Sequence, residues 1–317
     1  MTVQIAVIDD WQGVAREVVD WSALDAIGQV SFVHDYPADN ATLAERLGEF
    51  EVICVMRERT RFDEDLLRQL PALKLLVTGG MRNAALDLKA AAALGIQVCG
   101  TDSYKHAAPE LTWALIMAAT RNLVVEANAL RAGKWQQGLG GDLHGKTLAI
   151  LGLGSIGQRV ARFGQVFGMR VIAWSENLTA ERAAEVDVTY VSKQELFEQA
   201  DVLSVHLVLS ERSRGMVDAQ ALDWMKPTAL LVNTARGPIV DESALIKALQ
   251  KHRLAGAALD VFEQEPLPAL HPFRTLENVL ATPHIGYVSR QNYQQFFSQM
   301  IEDIQAWSAG APIRLLS

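Results

Sequence analysis

The sequence predicts an α/β protein built from two doubly wound parallel-sheet domains. Three observations carry that reading. Short β-rich runs alternate with helical stretches almost from end to end. A glycine cluster stands between one such strand and the helix that follows it. The chain has 317 residues, 50% hydrophobic and 21% charged, which is globular composition and more than one ordinary core holds.

The first domain opens with the runs VQIAVID, VSFVHD, EVICVM, LKLLVTG and IQVCG, separated by helical segments such as EDLLRQL. Five parallel strands follow from this alternation, with ligands expected beyond their carboxyl ends. Residues 107–131, AAPELTWALIMAATRNLVVEANALR, contain no glycine and read as one long helix joining the domains. A Gly-rich loop, GKWQQGLGGDLHG, comes next. A second series starts at Lys146 with KTLAILGLG, MRVIAWS, DVLSVHL, ALLVNTA, LAGAALDV and NVLATPH, predicting a second open parallel sheet. Residues 291–308 are amphipathic and read as a helix packing back on the first domain. The expected boundaries are 1–100 plus 288–317 for one domain and 101–287 for the other. Two chain crossings, near residues 101 and 287, predict a cleft that closes on a ligand.

The net charge of −8 gives no general attraction to nucleic acid or to an anionic membrane. No window reaches the roughly 18 uninterrupted apolar residues of a membrane helix. The start, MTVQIAVIDDWQ, lacks a basic region followed by an apolar run, so a cytoplasmic protein is expected. Cys54 and Cys99 lie in apolar strand runs, form no ligand cluster and read as buried free thiols. No metal site is predicted.

The stretch TLAILGLGSIGQRVARFGQVFG places Gly152, Gly154 and Gly157 as G-x-G-x-x-G directly between a strand and a helix. The first glycine permits a tight turn, the second lets backbone approach a pyrophosphate, and the third allows close helix–strand packing. Ser155 and Ile156 open the helix, whose free N–H groups favour an anion. A dinucleotide cofactor is expected. NAD sites carry an acid at the end of the next strand for the ribose 2′-OH. Here VIAWSENLT puts Ser175 at that place and Glu176 one residue later. A Glu176 that faces the ribose favours NAD, and one that points to solvent favours NADP. Because Ser175 removes a charge that would repel a 2′-phosphate, NADP is preferred.

Three further stretches, LLVNTARGPIVDESALIKAL, GAALDVFEQEPLP and TPHIGY, complete the pattern. Together with the glycine motif they resemble the D-isomer-specific 2-hydroxyacid dehydrogenase family over nearly the whole chain. The resemblance implies a flavodoxin-like substrate domain, a Rossmann cofactor domain and a homodimer. It puts Arg236, Glu265 and His284 on the catalytic positions, with the acid immediately before Pro266 as the match, not Glu263. It also implies that Asp260 contacts the nicotinamide carboxamide, and that His206 and the Thr234 backbone flank the cofactor. Leu207-Val208 replaces the usual x-Pro after that histidine, which puts the local loop shape in question.

The residue types suit such chemistry on their own. A 2-oxo acid carries a carboxylate beside a carbonyl, and an arginine's planar fork can hold the first and polarise the second. Reduction leaves an alkoxide that needs a proton, which a histidine oriented by a carboxylate can supply. Singly, each of the three is more often a solvated or capping residue. All three follow predicted strands of one sheet, the edge where open α/β sheets bind ligands, and that favours catalysis.

In the first domain the family's substrate loop has the form G-x-G-x-D-N-[IV]-D, whereas this chain has TGGMRNAALDL. Gly80, Met81 and Arg82 are the expected carboxylate donors there; an Arg82 directed to solvent is an equal expectation. Arg57, Glu58, Tyr104, Lys105 and His106 are polar groups that could meet the far end of a larger substrate. The expected function is reduction of a 2-oxo acid to the (R)-2-hydroxy acid, or the reverse, the stereochemistry being implied by the resemblance. Two alternatives stay open: reduction of a 2-imino acid to an amino acid, and a catalytically silent dinucleotide-sensing protein.

Overall fold

A computed structural model describes residues 2–34 and 39–316. The chain forms two compact units, residues 1–104 with 288–317, and residues 105–287.

The first unit holds a five-stranded parallel sheet: β1 (Val3–Val7), β2 (Gly28–Phe32), β3 (Val52–Val55), β4 (Leu75–Thr78) and β5 (Gln97–Gly100), in the order β2-β1-β3-β4-β5. All five predicted runs are strands; Asp35, which ends the second run, lies outside the described residues. The central strands are apolar on both sides because both faces are covered. Ala6, Ile53, Val55, Leu76 and Val98 pack with Leu66, Leu67 and Leu70 on one face. The predicted C-terminal helix spans Arg290–Ser308 and buries Phe296, Phe297, Met300 and Ile304 within this unit. The helix packs tightly over Gly79, where a Cβ would stand 3.3 Å from the Phe296 ring. Beyond the helix, the Leu316 N–H donates to Val98 O (2.8 Å) and the Gly100 N–H to Arg314 O (3.0 Å), pairing the tail antiparallel with β5.

The second unit holds a seven-stranded parallel sheet. Its strands are β6 (Thr147–Leu151), β7 (Arg170–Trp174), β8 (Thr189–Tyr190), β9 (Val202–Val205), β10 (Leu230–Asn233), β11 (Gly256–Leu259) and β12 (Val279–Ala281), ordered β12-β11-β10-β9-β6-β7-β8. Six were predicted. The seventh, β8, has two exposed residues on the sheet edge and too little apolar pattern to announce itself. Alternate residues serve opposite faces: Leu148 and Ile150 enter one core, Ala149 and Leu151 the other.

The predicted single helix over 107–131 is corrected. It is two helices, Ala107–Thr120 and Leu123–Arg131, both in the second unit. Asn122 adopts φ 53°, a left-handed conformation that asparagine tolerates better than most residues and that ends the first helix. Cys54 and Cys99 are buried and free, as expected. Burial raises both thiols, Cys99 to about 12, so neither is a thiolate at neutral pH. Among the described residues, no helix is long and apolar enough to cross a membrane, and no cluster of metal-ligating side chains occurs.

Candidate active site

The carboxyl end of the second sheet gathers the predicted cofactor and catalytic residues of that unit. Strand order reverses between β6 and β9, which opens a crevice over their ends. Gly152 ends β6 with φ 102°, and a Cβ there would lie 2.9 Å from the carbonyl of His206, the residue after β9. Only glycine meets both demands. Gly157 is buried in the first turn of the helix Ser155–Val166, where a Cβ would stand 2.2 Å from Gly152 O. Gly154 differs: its Cβ would meet nothing within 4 Å.

Gly154, Ser155 and Ile156 are exposed, and no side chain caps the helix start. An open approach to uncapped N–H groups at a helix N-terminus fits a dinucleotide pyrophosphate. Downstream, Ser175 follows β7 half-buried, and its carbonyl accepts from Leu178 N (3.0 Å) to close a turn. Glu176 sits on that turn, exposed.

His206 is neutral: burial pushes it down to about 3, and its Nε2 is 2.8 Å from Ser204 Oγ. Thr234 Oγ1 bonds Thr112 Oγ1 at 2.7 Å, tying the end of β10 to the helix Ala107–Thr120. Arg236 is presented just beyond that strand. Asn233 braces it from below, accepting from Ala235 N (3.0 Å) and donating to Arg236 O (3.0 Å). Arg236 Nη1 donates to Ala235 O at 2.8 Å.

His284 and Glu265 meet. His284 Nδ1 lies 2.5 Å from Glu265 Oε2, while Glu265 Oε1 accepts from Phe262 N at 2.9 Å. The carboxylate so fixes the ring proton on Nδ1 and turns Nε2 outward. Nε2 has no partner among the described residues. The Tyr287 ring packs edge-on against the imidazole, 5.4 Å between centroids. Gly237 brings Arg236 beside the same loop: a Cβ on Gly237 would stand 2.0 Å from the carbonyl of Phe262.

Asp260 directly follows β11 at the same carboxyl edge. It is fully buried, and its carboxylate faces its own chain. Oδ1 accepts from Thr282 Oγ1 (2.6 Å) and Ile285 N (2.8 Å), and Oδ2 from Gly286 N (2.8 Å). Burial raises this carboxyl, opposed by those donors and by the charge of His284. Its visible work is to hold the segment on which His284 takes φ 51°.

The proposed carboxylate donors Gly80, Met81 and Arg82 belong to the first unit. Gly80 is corrected: its N–H donates to the buried Thr101 Oγ1 at 2.9 Å and is not free for a ligand. A Cβ on Gly80 would collide with Arg57 Nη1 at 2.1 Å, so the glycine leaves room for that guanidinium. Met81 and Arg82 are exposed. Asn83, not singled out from sequence, ties the loop by donating to Thr78 Oγ1 (2.9 Å) and Arg57 O (2.6 Å). Of the other polar groups, Arg57 Nε is 3.4 Å from Glu58 Oε2. The Tyr104 N–H donates to Asn292 Oδ1 at 2.7 Å, Lys105 is exposed, and His106 lies beside Arg159 Nη1 at 3.3 Å.

Sequence reasoning also passed over Asn233, Thr282 and Gly286. A polar residue ending a fully apolar strand was the available signal for Asn233.

The chain is similar to known proteins over most of its length. Residues 113–286 match the model of the D-isomer specific 2-hydroxyacid dehydrogenase, NAD binding domain. Glyoxylate reductase from Aeropyrum pernix is 40% identical over 260 residues, covering 79% of this chain and 78% of that one. D-3-phosphoglycerate dehydrogenase from Methanocaldococcus jannaschii is 34% identical over 83% of this chain and 50% of its own. The solved structure of a phosphoglycerate oxidoreductase from Vibrio cholerae superposes with a TM-score of 0.94 at 40% identity, covering 98% of this chain and 100% of the other.

Proposed function

We propose a reaction on one premise: the chain belongs to the D-isomer-specific 2-hydroxyacid dehydrogenase family. Membership makes it an oxidoreductase with a nicotinamide dinucleotide cofactor. The reaction is reduction of a 2-oxo acid to its (R)-2-hydroxy acid, or the reverse. The observation that carries it is His284, held by Glu265 through Nδ1 with Nε2 turned outward at the carboxyl end of the sheet.

Gly152, Gly154 and Gly157 with the first turn of Ser155–Val166 would hold the pyrophosphate, and His206 and Thr234 would flank the cofactor. A reduced nicotinamide cofactor held there would supply the hydride for the carbonyl carbon. Arg236 pairs with the substrate carboxylate and polarises the adjacent carbonyl. His284 Nε2 gives its proton to the carbonyl oxygen, and Glu265 stabilises the imidazolium before transfer and keeps the ring in place. In the oxidative direction the same nitrogen takes the proton from the hydroxyl. Exposed Glu176 on its turn and Ser175 in the acid's usual place support NADP over NAD.

A homodimer is part of the proposal. The helix Leu123–Arg131 buries none of its residues, and Leu123, Val125 and Leu130 are each at least half exposed. It borders a groove of about 760 Å³ at the amino end of the sheet, whose lining includes Val124, Val125, Leu230 and Val279. Exposed apolar surface of this kind is common at subunit contacts.

Oxidation of NADPH and NADH by a panel of 2-oxo acids, with and without ammonia, tests the reading. Turnover without ammonia, faster with NADPH, is expected. Turnover only with ammonia would transfer the reaction to 2-imino acids. Dinucleotide binding with no turnover on any substrate would leave a sensing protein.

A further inference from the structure

Glu265 stands on no regular element. It lies six residues beyond β11 and its side chain is 33% exposed, yet it must keep one position if it is to fix His284. Its own bond to Phe262 N secures the carboxylate to the loop but not the loop to the protein. We propose that His271 and Glu242 form a second imidazole–carboxylate couple that positions the Glu265 loop, and through it His284.

Glu242 opens the helix Glu242–Gln250, with its side chain 19% exposed. One oxygen, Oε2, accepts from Glu263 N at 3.2 Å, in the middle of the stretch between Phe262 and Glu265. The other, Oε1, is 3.0 Å from His271 Nε2. His271 Nδ1 accepts from Phe273 N at 3.2 Å, which leaves the ring proton on Nε2, pointed at Glu242. The ring is further held against Phe273, 4.9 Å between centroids. A neutral imidazole is therefore sufficient for the couple, and it orients a carboxylate whose second oxygen grips the catalytic loop.

The far side of the loop is fixed by the same short segment. Arg274 Nε donates to Pro268 O at 2.8 Å and Nη2 to Leu267 O at 2.6 Å, and the His271 N–H donates to Pro268 O at 3.1 Å. Glu265 thus lies between two anchors, Glu263 and residues 267–268, that both lead back to residues 271–274. None of these groups reaches the imidazole of His284. They are positioning residues.

This inference rests on the reaction proposed above, so its test has one arm that needs no turnover. His271→Ala removes the donor to Glu242; His271→Gln can restore an N–H near the position of Nε2. The expected result in His271→Ala is a fall in kcat of about tenfold or more, part of the roughly 10²–10⁴-fold that a placed acid supplies. KM for the 2-oxo acid and the dinucleotide Kd should change little, and His271→Gln should recover most of the loss. Independently, the downfield imidazole N–H resonance of His284 in the histidine-labelled protein, assigned by its disappearance in His284→Gln, should be lost or broadened in His271→Ala and return in His271→Gln. An unchanged kcat, or an unchanged resonance, in His271→Ala would overturn the proposal, as would a loss in kcat that matches the unfolded fraction. If the wild-type protein turns over no 2-oxo acid, the reaction fails and the resonance alone decides this inference.

Discussion

The Gly286 N–H donates to Asp260 Oδ2 at 2.8 Å, and a Cβ on Gly286 would stand 3.1 Å from that same oxygen. The end of β11 is thereby clasped to the segment after β12, and His284 rides on that segment. An acid at position 260 is needed because three donors, Thr282 Oγ1, Ile285 N and Gly286 N, converge on it. Asp260→Asn replaces one accepting oxygen with a donor facing another donor. The expected cost is about 1–3 kcal/mol of stability, with kcat lowered beyond the unfolded fraction. Urea unfolding beside steady-state kinetics checks both.

Removing His284 separates chemistry from folding. Its side chain is 19% exposed and packs in no core, so His284→Gln should leave the thermal midpoint nearly unchanged. The rate should fall by about 10²–10⁴-fold. Glu265→Gln should lose less, because an amide oxygen can still accept from Nδ1 but cannot stabilise the imidazolium.

The glycine turn offers a paired test. Gly154→Ala meets open space, so the protein should fold normally while its dinucleotide Kd rises, as a methyl group enters the pyrophosphate approach. Gly157→Ala drives a Cβ to within 2.2 Å of Gly152 O and should lower stability itself. Fluorescence titration of NADPH and thermal melts distinguish the two. Equal binding by wild type and Gly154→Ala would remove the pyrophosphate from this turn.

In the first unit, burial pushes Asp303 from 3.8 up to about 7, and Asp9 up to about 6. The folded state then binds these protons more tightly than the unfolded chain. Their contribution is fully present below pH about 4 and lost as pH rises through the folded values. His206, lowered to about 3, works in the opposite direction below its ordinary 6.5. Comparing wild type with Asp303→Asn isolates one carboxyl: between pH 5 and 8 the wild type should lose stability relative to the variant, by at most about 3 kcal/mol. Parallel stability curves across that range would refute the buried, raised carboxyl.

Much of the architecture was legible in residue order alone. Among the described residues, eleven strands of twelve, the glycine turn and the C-terminal helix declare themselves through hydrophobic period and through glycine's special geometry. The break at Asn122 did not, since a left-handed asparagine looks like any helix-tolerant residue in an apolar-rich run. Nor did the two-residue β8, which only its neighbour β7 makes a strand.

Strand ends told where Arg236, Glu265 and His284 would lie, because the carboxyl edge of a parallel sheet is set by chain direction. Hydrogen-bond partners are another matter. Which oxygen of Glu265 takes His284, why Gly80 N belongs to Thr101, and that Asp260 spends its lone pairs on residues 282–286 depend on side chains brought together from separate strands. A sequence fixes the periods and the turns, which are local; only the folded chain assigns donors to acceptors, because that competition is settled among groups distant along the backbone and close in space.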